Sequence, residues 1–220
     1  MAMSTMTSDL LMQAAFISTM LFMFLWMLNI PQSLFNKFRY RDKSIYAAKR
    51  HFVLGAELLH KSRSTTDHTT AINLAKSAAQ HADQSISINP KDAAAHILKA
   101  LALDLQGFTT SALQALDAAL SPLTAKSLTD GEKSDALFKR AEIKMKMRRG
   151  SDGVESVVVD LVESVRLKAD NAAALRLLAE CYEMMKMKDE ALKVYLDLVK
   201  LEPESAQAQA ALVRLGSGST

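Results

Sequence analysis

The residues that most often do chemistry in proteins are few and scattered along this chain of 220 residues. Five histidines, His51, His60, His68, His81 and His96, fall in different predicted helices and a loop, and Cys181 is the only cysteine. A single cysteine excludes an intrachain disulfide and any multi-cysteine zinc or iron–sulfur site. The sequence also contains no G-x-S-x-G, H-E-x-x-H, Walker or G-x-G-x-x-G motif. We therefore predict no enzyme, no resident metal and no cofactor.

The remaining polar candidates have structural explanations. His51, His96 and Cys181 occupy helical positions where packing is expected, and a reactive thiol needs an exposed, electropositive setting. The basic run at residues 144–149 ends a predicted helix, where cations complement the helix dipole. Residues 64–220 carry 19 Lys and Arg against 21 Asp and Glu, so they create no broad field that attracts phosphates. We predict no nucleic-acid partner.

The N-terminal region differs in composition from the rest of the chain. Residues 10–36 are uncharged, and 17 of the 21 residues at 10–30 are apolar. As a helix this segment is about 31 Å long, close to the hydrocarbon thickness of a bilayer. We predict a transmembrane helix at 10–30 after a short tail at 1–9. A cleaved signal peptide and a buried helix of a water-soluble protein are the alternatives, although the basic region and the small-residue cleavage site of a signal peptide are missing.

Basic residues follow the predicted span and indicate its orientation. The segment at 31–43 is predicted to be a juxtamembrane linker, and the basic collar consists of Lys37, Arg39, Arg41, Lys43, Lys49 and Arg50. Because positively charged flanks stay on the cytoplasmic side, we expect a single-pass protein whose remaining chain faces the cytosol. The endoplasmic reticulum and the outer membranes of organelles both suit such a span. Residues 37–63 carry a net charge of +6, so the positive net charge of the chain, +3, comes from this region.

A helical repeat follows at 44–215, before a flexible tail at 216–220. Apolar residues recur with helical spacing, and strand-like alternation with hairpin turns is missing. Pro90, Pro122 and Pro203, with Ala169 in an equivalent place, each follow an apolar helix ending. Extra residues fall at 62–69 and 123–133, both polar and typical of loops. The pattern predicts an all-α protein with about four helix pairs and a final capping helix.

The last pair carries the clearest motif. Leu175, Leu178, Ala179 and Tyr182 are followed by Ala191, Tyr195 and Pro203. This arrangement resembles the tetratricopeptide repeat, whose pattern is W-x2-L-G-x2-Y, then A-x3-F, then P over 34 residues. Three earlier units look like weaker copies, with His51, Leu54, Gly55 and Leu58 opening the first. The resemblance implies an α-solenoid of the tetratricopeptide type, which would follow the transmembrane helix predicted at 10–30.

The resemblance also implies a binding surface. Solenoids of this type bind peptides along the concave face made by the first helix of each pair. In this register the groove comprises Lys49, Phe52, Ile97, Leu101, Phe138, Glu142, Arg176, Glu180 and Glu183. Members that grip acidic chaperone tails use paired Asn and Lys or Arg there. The matching positions here hold Ala56, Leu98 and Leu177, so chaperone-tail binding is disfavoured.

These features together predict a non-catalytic adaptor or receptor. It would be anchored in a membrane by residues 10–30 and would bind a protein partner in the groove of its cytosolic solenoid. The alternative is a structural subunit or assembly factor of a larger membrane complex, in which the Met- and Phe-rich span contacts other helices. In the first case the groove holds the partner, and in the second the anchor does.

Overall fold

The computed structural model describes residues 12–20, 24, 30–147 and 153–216, with side chains for all of these except 30–42. The chain divides into two compact units, Met1–Ala47 and Ala48–Thr220. In the first unit, residues 12–20 and 24 are helical, and the apolar side chains of Met12, Phe16 and Ile17 are exposed.

The predicted transmembrane helix lies partly outside the described residues, which omit 10, 11, 21–23 and 25–29. In the part of the chain that the structure describes, no helix combines the length and the apolar character needed to cross a membrane. The predicted tail at 1–9 also lies outside the described part. The predicted linker at 31–43, by contrast, lies within a continuous helix that begins at Ile30.

Every regular element of the described residues is helical, which confirms the predicted all-α solenoid. The helices are α1 (Ile30–Ser64), α2 (His68–Ile88), α3 (Ala93–Leu105), α4 (Thr109–Ala119), α5 (Asp130–Met147), α6 (Val154–Leu167), α7 (Ala172–Met184), α8 (Lys188–Leu201) and α9 (Ala206–Gly216). A short 3-10 turn, Ala125–Ser127, precedes α5. The loop expected at 62–69 is shorter than predicted, because α1 continues to Ser64 and α2 starts at His68.

From α2 onward each helix packs against the next along the chain, which produces a solenoid of helix pairs. The first pair is α1 with α2, where the Ser85 hydroxyl donates to the Ala48 carbonyl at 3.0 Å. The third pair repeats this contact, because the buried Ser164 hydroxyl donates to the Ser134 carbonyl at 2.9 Å. The helix α9 packs on α8 and covers the apolar end of the solenoid, as a capping helix must.

The core consists of successive apolar clusters between neighbouring pairs. One cluster joins Leu59 to Ala78 and Leu98, and others follow along the chain to α9. Many of the fully buried residues are alanines, which let helix backbones approach closely. Each pair thus has apolar surface that only its neighbour covers, as expected for a repeat protein.

Side chains at the helix starts explain several boundaries. Asp67 accepts a hydrogen bond from the Thr70 amide at 2.8 Å, and Asn171 accepts one from the Ala174 amide at 3.1 Å. At the start of α5, Glu132 accepts from the Thr129 amide at 2.8 Å while the Glu132 amide donates to the Thr129 hydroxyl at 3.3 Å. This reciprocal pair is a capping box, which satisfies two backbone donors that a helix start leaves free.

Candidate protein-binding cleft

A cleft of about 480 Å³ opens on the face formed by the first helices of the first three pairs. The middle helix, α3, provides its floor, and α1 and α5 provide its walls. The lining residues are Phe52, Ala56, Leu59, His60 and Arg63 from α1, Ala94, Ile97, Leu98 and Leu101 from α3, and Leu128, Glu132, Asp135, Ala136, Phe138 and Lys139 from α5 and the residues before it.

The floor and the lower walls of the cleft are apolar. Leu59 and Leu98 are almost fully buried and belong to the core cluster between the first two pairs. Phe52, Ile97 and Phe138 are half-buried, since one side packs on the core while the other faces the cleft. When a partner removes such open apolar surface from water, the free energy falls by about 25 cal/mol per Å².

Charged side chains lie at opposite ends of the cleft. His60 and Arg63 are exposed near the C-terminal end of α1. Glu132 and Asp135 are exposed in the first turns of α5. The hydrogen bonds from the Thr129 amide and hydroxyl lower the pKa of the Glu132 carboxyl, so this group stays ionised at neutral pH. Asp135 has a charged partner that is distant in sequence, since the Lys168 ammonium lies 3.6 Å from its carboxylate.

Lys139 lines the cleft but is neutralised by acidic neighbours. Its ammonium lies 2.8 Å from the Asp104 carboxylate and 2.7 Å from the Glu142 carboxylate. Burial lowers the pKa of Lys139, but its contacts with Asp104 and Glu142 outweigh that effect and hold the pKa above its usual value. Lys139 therefore remains charged, and its charge is matched within the protein.

The structure divides the nine predicted groove residues into two groups. Phe52, Ile97, Leu101 and Phe138 line the cleft together. The other predicted groove residues lie outside this cleft, and they are Lys49, Glu142, Arg176, Glu180 and Glu183. Lys49 is exposed on α1. Glu142 accepts a hydrogen bond from Lys139, which itself lines the cleft.

The predicted groove residues on α7 have partners near the C-terminus. The Arg176 guanidinium lies 2.7 Å from the Glu202 carboxylate, and Glu180 accepts from the Gln207 amide at 3.0 Å. Glu183 accepts from the Tyr195 hydroxyl at 2.6 Å and pairs with Arg214 at 2.6 Å. These side chains thus fasten α7 to α8 and to the segment that contains α9.

Sequence reasoning missed most of the α1 wall, including Leu59, His60 and Arg63. Their spacing with Phe52 and Ala56 is helical, so one face of α1 was recognisable as a stripe. The predicted groove used equivalent positions in every unit, whereas the cleft uses the C-terminal half of α1 and the N-terminal half of α5.

Of the basic collar, Lys43, Lys49 and Arg50 are exposed, and the side chains of Lys37, Arg39 and Arg41 lie outside the described residues.

The histidines do not assemble a metal site in the part of the chain that the structure describes, where no three His, Cys, Asp or Glu side chains come together. The imidazoles of His51 and His81 approach each other, with their Nδ1 atoms 3.2 Å apart. Nε2 of His96 lies 3.0 Å from the Pro90 carbonyl oxygen. Cys181 is buried in the core between the third and fourth pairs.

Comparison with known proteins identifies this architecture. Residues 173–205 match the sequence model of a tetratricopeptide repeat family. A crystal structure of MamA superposes with a TM-score of 0.58 and 15% identity over 78% of this chain and 82% of that one. The fold is a tetratricopeptide-type α-solenoid.

Two further tetratricopeptide-type neighbours agree. MamA from Desulfovibrio magneticus RS-1, from residue 41 to its end, gives a TM-score of 0.60 at 15% identity, covering 78% of this chain and 84% of that one. YrrB, described as a tetratricopeptide protein with an unusual peptide-binding site, gives a TM-score of 0.55 at 15% identity. The match covers 73% of this chain and 75% of that one. No curated protein matches the sequence. At these identities the likeness establishes the tetratricopeptide-type fold of this chain.

Proposed function

We propose that this chain is a non-catalytic, membrane-anchored adaptor or receptor that binds a protein partner in the cleft between α1, α3 and α5. The single observation that carries the proposal is the open apolar cleft on the first helices of three successive pairs. In a tetratricopeptide-type solenoid the first helices of the pairs form the concave surface on which partners bind.

The distribution of polar groups favours a protein over a small molecule. A small-molecule site usually buries a few polar groups that fix the orientation of its ligand. In this cleft Arg63, Glu132 and Asp135 are exposed at the margins. Lys139 is already paired with Asp104 and Glu142, and the floor is apolar. An apolar centre with a polar rim is the usual composition of a protein interface.

The anchoring part of the proposal rests on residues 10–30 and the basic collar. An uncharged segment with the length of a bilayer core, followed by several Lys and Arg residues, supports a single span with residues 37–220 on the cytosolic side. The endoplasmic reticulum or an organelle outer membrane is the proposed location.

Two neighbouring residues of α1 provide a matched test of the cleft. Phe52 lines the cleft, whereas Val53 is exposed outside it. Affinity purification of the full chain from membranes measures the amount of partner recovered. Phe52→Glu should reduce that amount about tenfold or more, because it places a charge in the apolar cleft. Val53→Glu should retain the partner. Equal recovery with both variants would contradict the cleft as the binding site.

The anchor is tested by exchange and by protease. Replacing residues 1–36 with an unrelated anchor should leave partner recovery unchanged, and loss of the partner would favour the structural-subunit alternative.

Protease added to intact membranes should digest residues 37–220. Protection of that region would contradict the proposed orientation, and release of the chain by alkaline extraction would contradict the span itself.

A further inference from the structure

We infer that the occupant of the cleft is an amphipathic α-helix of the partner, with acidic side chains at one end of its apolar face and basic side chains at the other. This inference rests on the proposed function of the cleft and specifies the chemistry of the partner. It follows from two independent features, which are the lack of hydrogen-bonding side chains on the floor and the separation of charge along the cleft.

The floor cannot satisfy the backbone of an extended peptide. The lining residues of α3 are Ala94, Ile97, Leu98 and Leu101, and none has a side-chain donor or acceptor. The backbone groups of these residues bond within the helix, except that the Ala94 amide donates to the Asp92 side chain at 3.1 Å. An extended segment on this floor would therefore bury its own N–H and C=O groups without partners, which costs free energy at each group.

An α-helix avoids this cost because its backbone hydrogen bonds are internal. It presents side chains at positions i, i+3, i+4 and i+7, and such a stripe can fill an apolar groove between helices. Phe52 and Phe138 face the cleft from opposite walls, on α1 and α5, so an apolar stripe laid over Ile97 and Leu101 would contact aromatic rings on both sides.

The charges specify the ends of the bound helix. Arg63 is exposed near the C-terminal end of the α1 wall, and Glu132 and Asp135 are exposed in the first turns of the α5 wall. Lys139 does not offset these acids, because Asp104 and Glu142 already match its charge. Lys168 lies 3.6 Å from Asp135 and offsets part of its charge, so Glu132 carries most of the acidic end. Glu132 is held in place by the Thr129 capping box, so the acidic end is preorganised. A complementary helix is acidic near Arg63 and basic near Glu132.

Synthetic peptides of about four helical turns provide the probes. Three peptides share one leucine stripe and carry acidic–basic, acidic–acidic or basic–basic ends, and a fourth repeats the acidic–basic composition with two prolines that prevent a helix. Binding to the full chain in detergent is measured by fluorescence anisotropy. The acidic–basic peptide should bind about three- to tenfold more tightly than either uniformly charged peptide, and the proline peptide should not bind measurably.

Charge-neutral variants then assign each end. Arg63→Gln should remove the advantage of the acidic–basic peptide over the basic–basic peptide. Glu132→Gln combined with Asp135→Asn should remove its advantage over the acidic–acidic peptide, and Gln at 132 preserves the capping box. Lys61→Gln, which removes an exposed charge of α1 that is paired with Glu57 outside the cleft, is the matched control and should change neither ratio.

The outcomes separate this inference from the proposed function. Equal binding of all three helical peptides, still abolished by Phe52→Glu, would overturn the charge assignment while leaving a protein-binding cleft. Equal binding of the proline peptide would overturn the helical assignment. If no peptide binds, the inference is wrong, and partner recovery with Phe52→Glu and Val53→Glu independently decides the proposed function.

Discussion

Arg140 of α5 and Asp160 of α6 form a buried ion pair across the third helix pair. The guanidinium Nε lies 2.9 Å from one carboxylate oxygen of Asp160, and Nη2 lies 2.5 Å from the other. Arg140 also lies 3.0 Å from Asp117 of α4, and Lys144 lies 2.7 Å from Asp160. The Asp160 side chain is 3% exposed, so its charge depends on these partners for compensation.

Removing one partner of this ion pair should destabilise the protein more than removing both. Arg140→Met leaves the buried Asp160 with Lys144 alone, and we expect a loss of about 2–3 kcal/mol in the free energy of unfolding. Chemical denaturation followed by circular dichroism measures the change. The double variant with Asp160→Leu should recover most of the loss. A single variant as stable as the wild type would show that Arg140 contributes nothing to the third pair.

Gly55 allows three helices to approach one another. A Cβ atom at this position would lie 2.9 Å from Leu98 Cδ2, 3.1 Å from the Ala78 carbonyl oxygen and 3.2 Å from His81 Cβ. Gly55→Val should therefore lower the free energy of unfolding by about 2 kcal/mol or more, despite the poor helix propensity of glycine. Gly131→Ala is the control, since its Cβ would meet nothing within 4 Å and should cause no loss. Thermal unfolding of both variants measures the difference.

Lys186 has a backbone conformation that suits glycine. Its φ of 61° lies in the left-handed region, and Gly107 and Gly153 have φ of 83° and 82° in the equivalent turns of the second and third pairs. Lys186→Gly should raise the free energy of unfolding by about 1 kcal/mol, since a side chain is disfavoured there. Lys193→Gly, in the middle of α8, should lower it by about 1 kcal/mol. Denaturant midpoints of both variants measure these changes in stability. A lower midpoint for Lys186→Gly as well as for Lys193→Gly would contradict the prediction for Lys186.

Tyr195 links α8 to α7 through a hydrogen bond that depends on its proton. Burial and the contact with Glu183 raise the pKa of the Tyr195 hydroxyl well above its usual value. Since the folded state holds this proton more tightly, the stabilisation is complete below the unfolded pKa of about 10 and is lost as the pH rises above it.

Tyr195→Phe isolates this titration. At neutral pH it should cost about 1–2 kcal/mol through the lost hydrogen bond. Above about pH 10 the wild type should lose up to about 1.4 kcal/mol per pH unit more than the variant. Urea unfolding between pH 8 and pH 11 measures both slopes, and parallel slopes would contradict the assignment. Tyr46→Phe is the control, because Tyr46 is 74% exposed.

The sequence alone determined the fold class and the pairing of the helices. Helical apolar spacing specifies the buried face of each helix, and the alanines and prolines at repeated positions indicate close packing and helix ends. Thr129 and Glu132 form a capping box that was readable from their spacing, although the predicted loop at 123–133 had included both.

The tertiary structure decided which surfaces remain open. Phe52, Ile97, Leu101 and Phe138 were identifiable from the repeat register because each lies on the first helix of its pair. Leu59 and Arg63 join them because the cleft uses the C-terminal half of α1 and the N-terminal half of α5. Arg176, Glu180 and Glu183 lie on the corresponding face of α7, yet they contact Glu202, Gln207 and Arg214. The sequence does not reveal such partners, because residues far apart in the chain meet only when the helices are stacked.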